Sequence, residues 1–384
     1  MIRYDSYCLE KNTAMKIALL GAGHFGHTIA HLLVYSGDYS VTVADQSQAS
    51  LDKLGGLKIN TVQVDTDQSA ALERVLQGHD AVINALPYYL ALKVAQAAKN
   101  TGCHYFDLTE DVAATKAIMA LAESDNLGAS TAFMPQCGLA PGFIGIVAHH
   151  FAQQFDSLDE IKMRVGALPA FPTNALKYNL TWSVDGLINE YCHPCEAIHE
   201  GVVTAMLPLE GLEHFSLDGV EYEAFNTSGG LGTLCETLKG KVRSLDYKSV
   251  RYPGHRELMQ FLLTDLRLSE DQEALKNIMR KSVPTTMQDV VLVFVTVSGM
   301  RRGAYVQEVF ARKIFAQRAS RVDAPLSAIQ ITTAAGICAV VDLFREGRLP
   351  QHGFIRQEEV ALPDFLANRF GIAYEQSRRI ESIS

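Results

Sequence analysis

Residues 16–26 read KIALLGAGHFG and residues 41–45 read VTVAD. The first run is a short strand of β-formers, Lys16–Leu20, that ends on glycine. Glycine at 21 permits a tight strand-to-helix turn, Gly23 lets the backbone approach a pyrophosphate, and Gly26 lets the following helix pack close to the strand. His24 and Phe25 lie inside that turn, and the helical stretch HTIAHLLVYSG follows at 27–37. Such a helix start offers free N–H groups and a positive dipole end to phosphate. Asp45 stands 22 residues after Gly23, at the end of the second apolar run. An acid there accepts hydrogen bonds from the adenosine ribose and repels a 2′-phosphate, which predicts NAD over NADP. GxGxxG alone is weak evidence. A strand before it, a helix after it and an acid ending the next strand make it a dinucleotide fingerprint.

Outward from this stretch the alternation continues. A third strand is expected at Thr61–Val64, placing Asp65 beside the adenine, and a helix from Ser69 to Leu76. AVINAL (81–86) is a buried strand ending at Pro87, so Asn84, Ala85, Leu86 and Pro87 should line the nicotinamide side of the crevice. Tyr88–Lys99 reads as helix and Cys103–Leu108 as strand. Thr109 is a candidate N-cap, with Glu110 and Asp111 in the first turn after it. Strands alternating with helices imply a parallel sheet with right-handed crossovers.

The pattern changes after Pro135. EIKMRVG (160–166) alternates like a strand, and DVVLVFVTV (289–297) is strongly β-branched. Ser298–Gly303 reads as a turn and 304–315 as the returning strand, hence a hairpin and a mixed sheet. Leu326–Phe344 is a long apolar helix that must be covered on several sides and bridges back to the first domain. The expected fold is therefore α/β. A Rossmann doubly wound parallel sheet occupies 15–135 and a second α/β domain with a mixed sheet occupies 136–320. Segment 321–384 returns to the first domain.

The chain has 384 residues, 48% hydrophobic and 20% charged, with a formal net charge of −9. An acidic chain without a long basic run is a poor ligand for nucleic acid, which needs clustered Lys and Arg. Seven cysteines scattered over this length suggest reduced thiols and a cytoplasmic location. Met1–Ala14 carries charges and lacks the apolar core of a secretory signal; it reads as an extension, and Met15 is an alternative start. No run of 18 apolar residues suggests a membrane span. Cys192-His193-Pro194-Cys195 resembles half a zinc site, but no second pair follows to complete four ligands, so no metal is expected.

Further along, VINALPYY (82–89), HYFDLTED (104–111) and QCGLAPGF (136–143) resemble the saccharopine dehydrogenase-like reductases. VGALPAFPTNALKYNLTWSVDGLINEY (165–191), EAFNTSGG (223–230) and YKSVRYPGH (247–255) are similar to L-lysine 6-dehydrogenases in particular. The resemblance implies a Rossmann domain interrupted by an α/β substrate domain, a homodimer, and NAD-dependent oxidation of the lysine ε-amine to the semialdehyde and ammonia. It maps substrate contacts onto Asp107, the loop Gly138–Gly142, the segment Asn174–Asn179 with Tyr178, and Arg251. Lys177, where an acid is usual, and Cys137 depart from the lysine 6-dehydrogenase pattern.

Individual residues sharpen the expectation. Asp107 ends the fifth strand and is a candidate to bind the substrate amine or take its proton. His255 is a second candidate base. Arg251 presents a fork that matches a carboxylate. Ser228 and Gly229 precede a helix-like stretch, Leu231–Leu238, whose start suits an anion. Leu139, Pro141 and Gly142 are expected beside the cofactor. The alternatives to lysine oxidation are formation or cleavage of a secondary amine, as in saccharopine or carboxynorspermidine dehydrogenases, and a non-catalytic NAD-binding regulator.

Overall fold

A computed structural model describes residues 14–124, 130–318 and 325–375. The N-terminal extension up to residue 13, with Cys8, lies outside the described residues. In chain order the first half contains β1 (Met15–Leu20), α1 (His24–Ser36), β2 (Tyr39–Asp45), α2 (Gln48–Asp52), β3 (Asn60–Gln63) and α3 (Ser69–Leu76). It continues with β4 (Ala81–Asn84), α4 (Ala91–Thr101), β5 (His104–Asp107), α5 (Val112–Glu123) and β6 (Ala132–Met134). These strands and a short C-terminal strand, Gly353–Phe354, form a seven-stranded sheet, all parallel. Its order runs from Gly353–Phe354 through β6, β5, β4, β1 and β2 to β3. The direction of winding reverses between β1 and β4, which opens a crevice at their C-terminal ends.

The rest of the chain forms α6 (Phe143–Ala152), β7 (Ser157–Pro169), α7 (Val184–Cys192), β8 (Cys195–His199), β9 (Val202–Met206), β10 (Glu213–Leu217) and β11 (Val220–Asn226). After these come α8 (Leu234–Leu238), β12 (Val242–Arg251), α9 (His255–Gln260), α10 (Gln272–Ser282), β13 (Asp289–Arg301), β14 (Ala304–Phe315) and α11 (Ala328–Arg345). The eight strands β7–β14 make a mixed sheet, with β12 parallel to β7 and antiparallel pairing elsewhere. The hairpin turn is tighter than the sequence suggests. β13 runs on to Arg301, and only Arg302 and Gly303 turn, both at positive φ (53° and 79°). Two consecutive residues in that region match the right-handed twist of the flanking strands.

α11 joins the halves. Every residue from Ala328 to Phe344 is buried, and the helix packs on α1 from one side and β13 from the other. One hydrophobic cluster therefore runs from Ile17, Leu19 and Leu33 through Ile337 and Val341 to Val291 and Val293. By length and hydropathy α11 is apolar enough to cross a membrane, but the fold uses it as a core helix. Its start is fixed twice: Ser327 and Gln330 form a capping box, and the Asp289 carboxylate accepts from the Ala328 and Ile329 N–H groups.

The expected cap at Thr109 is corrected. α5 begins at Val112, and Asp111 caps it by accepting from Ala114 N–H at 2.7 Å, while Thr109 Oγ accepts from Asp111 N–H. Thr109 and Glu110 stay in the loop after β5, free to face the crevice.

Candidate active site

The glycine loop has the shape that the spacing predicts. A Cβ at Gly26 would lie 1.9 Å from the Gly21 carbonyl oxygen, whereas one at Gly23 would meet nothing within 4 Å. Close packing therefore explains Gly26, and an open face toward a ligand explains Gly23. α1 starts at His24 with no side-chain cap and no acid in its first turn, so its N–H groups are available to a phosphate. Asp45 ends β2 and accepts from Ala22 N–H and Ser47 N–H, each at 2.7 Å. This draws the acid under the loop. His24 accepts from the Gln330 amide through Nδ1, at 3.3 Å, tying α11 to the loop. Asp65 is exposed and accepts from Asp67 N–H and the Gln68 amide, serving its own turn.

Between the two sheets lies a cleft of about 240 Å³. Phe25, Ala85, Leu86 and Pro87, Leu139 and Pro141, and Arg251 line it, as expected. Asn84 lies behind this wall. Its side chain accepts from Leu86 N–H and donates to Tyr105 OH, which ends β4 and shapes the loop. Gly142, at φ 129°, brings the loop back so tightly that a Cβ would sit 2.2 Å from the Gly138 carbonyl. It shapes Gly138–Pro141 without lining the cleft.

Both candidate bases are corrected. Asp107 is fully buried; its carboxylate accepts from Tyr105 OH, Thr109 N–H and Gln136 N–H at 2.6–3.0 Å. It pins the loops after β5 and β6 and does not reach the cleft. His255 is also fully buried. Its ring lies 3.0 Å from the Leu176 carbonyl through Nδ1 and 3.1 Å from Tyr191 OH through Nε2. A carbonyl only accepts, so Nδ1 carries the proton and Nε2 accepts from the tyrosine. Burial, then the nearby Arg251 guanidinium, pushes its pKa down to about 3. Tyr191 OH in turn accepts from Arg251 Nε at 2.9 Å. His255 therefore belongs to a relay that orients Arg251.

The supposed anion site is corrected too. Only Leu234–Leu238 is helical, and the carboxylate of Glu358 already accepts from Thr233 and Thr237 there. Ser228 N–H donates to the Glu190 carbonyl at 3.0 Å, and a Cβ at Gly229 would lie 2.3 Å from the Glu110 carbonyl. Ser228 and Gly229 thus buttress two acids instead of binding an anion. Asn179 is buried beside Asn174, outside the cleft wall. Tyr178 is buried with its ring 5.2 Å from the Arg251 Cζ, supporting the guanidinium from beneath. Lys177 is exposed and donates to the Pro253 carbonyl. Cys137 is buried, which raises its thiol pKa and makes it a poor nucleophile. Cys195 is buried in β8, and His193 Nδ1 lies 2.9 Å from the Asn189 carbonyl. Among the described residues no cluster of three His, Cys, Asp or Glu could hold a metal.

Glu190 is the residue missed outright. It lines the cleft, is 6% exposed, and its carboxyl has no hydrogen-bond or ion-pair partner among the described residues. Gly186 and Glu190, four residues apart, share one face of α7, and Ser183 caps that helix. Gly186 leaves room for the Trp182 ring and for Glu110 Oε1, which would lie 3.0 Å from an added Cβ. Tyr247, Ser249 and Arg251 alternate on one face of β12, and all three line the cleft. That period of two was legible in YKSVR. Asp185 also lines it but is matched by Arg280 at 2.8 Å and Lys276 at 3.4 Å.

Arg251 is 3% exposed. Besides Tyr191, it donates through Nη1 to the Val250 carbonyl. No carboxylate lies within ion-pair distance of it among the described residues, and Nη2 has no acceptor there. The cleft thus combines an unpaired buried guanidinium with two unpaired carboxyls, Glu110 and Glu190. Burial pushes Glu190 up to about 8, with Arg251 opposing and Glu110 reinforcing. Burial pushes Glu110 up to about 7; its own N–H opposes, while Asp111, Asp107 and Asp185 reinforce.

The raised value at Glu190 has a consequence for stability. The folded protein keeps a proton there that the unfolded chain releases above its ordinary value of 4.5. Stability is therefore lost as pH rises from about 4.5 to about 8, and the full cost persists above that. Glu190→Gln is expected to be more stable than the parent at pH 9, by a few kcal/mol at most, and to match it near pH 5. Thermal unfolding at both pH values checks this; an advantage independent of pH would contradict it.

Residues 17–132 match the family model described as the saccharopine dehydrogenase NADP binding domain, and residues 138–370 match the saccharopine dehydrogenase C-terminal domain. The chain belongs to the saccharopine dehydrogenase family. Among curated members, it is 24% identical over 203 residues to the mitochondrial alpha-aminoadipic semialdehyde synthase of Rattus norvegicus, covering 51% of this chain and 22% of that protein. It is 26% identical over 188 residues to the saccharopine dehydrogenase [NADP(+), L-glutamate-forming] of Schizosaccharomyces pombe, covering 45% and 39%. The matches thus span well under half of those relatives. The fold is that of the L-glutamate-forming saccharopine dehydrogenase of Saccharomyces cerevisiae, with a TM-score of 0.74 at 16% identity over 92% of this chain and 96% of that one.

Proposed function

We propose that the chain is a nicotinamide-dependent oxidoreductase acting on the amine of an amino acid, and that it deaminates the terminal amine of lysine or a close basic amino acid. The observation that carries this reading is the charge pattern of the cleft. Arg251, Glu110 and Glu190 line one cleft, none of them paired among the described residues, beside a wall formed by Phe25 and Ala85–Pro87. A buried cation without a counter-ion is costly unless a ligand supplies one. An amino-acid carboxylate does so, and ammonium groups do the same for the acids.

The glycine loop, the uncapped start of α1 and Asp45 fit a dinucleotide, which supplies hydride acceptance when bound. The residues present bind it, orient the amine and hold its proton. Asp45 supports NAD over NADP, because its charge would meet a 2′-phosphate. Among the described residues Arg251 is the one basic residue lining the cleft, which favours a substrate with a single carboxylate. The names of the curated relatives favour the other reading, cleavage or formation of a secondary amine.

The test is reduction of NAD and of NADP by purified protein with L-lysine, ornithine, saccharopine and carboxynorspermidine at alkaline pH, with ammonia measured. The expected result is ammonia release with lysine or ornithine and a preference for NAD that Asp45→Ser relaxes. Reduced cofactor without ammonia, from saccharopine or carboxynorspermidine only, would establish the secondary-amine reaction instead. Equal or better use of NADP by the parent would overturn the cofactor preference.

A further inference from the structure

The two unpaired carboxyls of the cleft are not equivalent. Glu110 follows β5 on the Rossmann side. Its neighbours Leu108 and Thr109 share the cleft wall with Ala85–Tyr88 and the Gly138–Pro141 loop, the wall against which a nicotinamide would lie. Glu190 projects from α7 in the second domain, where the field of Arg251 acts on it directly. Glu190 therefore stands with Arg251 on the second-domain side of the cleft, and Glu110 comes from the Rossmann side, its Oε1 reaching toward Gly186, one turn of α7 away from Glu190.

An α-amino acid carries its ammonium next to its carboxylate. A guanidinium with an acid beside it matches that head group, and a second acid farther along the cleft matches a second amine. Resting on the reading above, we propose that Arg251 and Glu190 grip the α-carboxylate and α-ammonium of a dibasic amino acid, and that Glu110 is the catalytic residue that takes the proton from the distal ammonium.

The chemistry balances. The distal R–CH2–NH3+ gives one proton to the Glu110 carboxylate and becomes a neutral amine. The carbon then gives hydride to the oxidised nicotinamide dinucleotide, leaving R–CH=NH2+. Water adds to that carbon, ammonium leaves, and the aldehyde remains; the net proton released is the one Glu110 accepted. A base is most effective when its pKa lies near the working pH, and Glu110 is raised to about 7. The groups around it are Asp107 and Asp111 on its own segment, Tyr88 across the loop, Asp185 and Glu190 on α7, and Lys276 on α10 held by Asp185.

The test compares Glu110→Gln, Glu110→Asp and Glu190→Gln with the parent, using the amine the parent oxidises best. Trp182, the chain's one tryptophan, lines the cleft, so its fluorescence reports amino-acid and dinucleotide binding without turnover and shows that each variant is folded. Glu110→Gln is expected to bind the dinucleotide normally and to lose about 10²–10⁴-fold in kcat near pH 8. That deficit should shrink as pH rises and solvent supplies the neutral amine. Glu110→Asp should recover part of the loss. Glu190→Gln should raise KM and weaken amino-acid binding at least tenfold, with kcat within a few-fold of the parent. A Glu110→Gln variant within threefold of the parent kcat across the pH range would overturn the assignment. So would exchanged phenotypes, with kcat lost in Glu190→Gln and spared in Glu110→Gln. A folded parent that binds dinucleotide and oxidises no amine would remove the reaction itself, an outcome distinct from both.

Discussion

Arg251→Met is expected to lower kcat/KM for the preferred amino acid by about 10²–10³-fold while leaving dinucleotide affinity unchanged. Truncating one member of a buried, hydrogen-bonded charge pair costs about 2–5 kcal/mol, and here the substrate carboxylate would be left buried without its cation. The guanidinium is held in place before any substrate arrives. Tyr191 accepts from Nε, Tyr178 lies under the guanidinium, and neutral His255 fixes the tyrosine hydroxyl. Lysine at this position should rescue little, because an ammonium cannot reproduce a planar fork supported by aromatic faces. Steady-state kinetics with Trp182 fluorescence as the binding control measure this. If Arg251→Met kept KM and kcat near the parent values, the carboxylate would have to bind elsewhere. His255→Ala should act the same way but more weakly, through KM, with no loss of a pH-dependent limb, because its ring is neutral across the working range.

Gly26→Ala is expected to abolish dinucleotide binding and to destabilise the fold by about 1–3 kcal/mol or more, as overpacking does. The new methyl would stand 1.9 Å from the Gly21 carbonyl. That carbonyl cannot easily retreat. Gly21 N–H is bonded to Ala44, and Gly21 itself lies against the Ala85 backbone, where a Cβ would sit at 2.9 Å. Gly23→Ala provides the contrast. With nothing within 4 Å of its Cβ, it should leave thermal unfolding unchanged and weaken only dinucleotide binding. Unfolding curves and dinucleotide titrations of the two variants decide between the packing and ligand-approach roles. Similar behaviour in both would mean that the two glycines are not distinguished as the geometry implies.

Much of the architecture was legible because it is written in local chemistry. α3 and the return strand β14 fall at the residues expected from periodicity. The glycine spacing and Asp45 place the loop, and Ala85–Pro87 line the cleft where a strand end predicts. Boundaries slipped where a side chain intervened. β4 stops at Asn84 because that residue's own side-chain carbonyl captures Leu86 N–H. α5 starts late because Asp111, not Thr109, reaches its free N–H groups.

The sequence alone determined the parallel Rossmann half, the crevice at its strand ends and the mixed second sheet, since turns, periods and glycine clearances depend on neighbours along the chain. It also marked Arg251 as a candidate carboxylate ligand, and the structure places that residue in the cleft wall. Which acids face the cleft was decided only in three dimensions. Asp107 and Glu110 are three residues apart, yet the first is consumed by Tyr105, Thr109 and Gln136 while the second turns into the cleft. His255 looks like a base in sequence and is silenced by burial and by Arg251. Glu190 looks like a solvated helical acid and becomes a buried, unpaired one. Burial and the identity of partners distant along the chain set the charge and reach of an ionisable side chain, and both exist only once the two sheets have closed around α11.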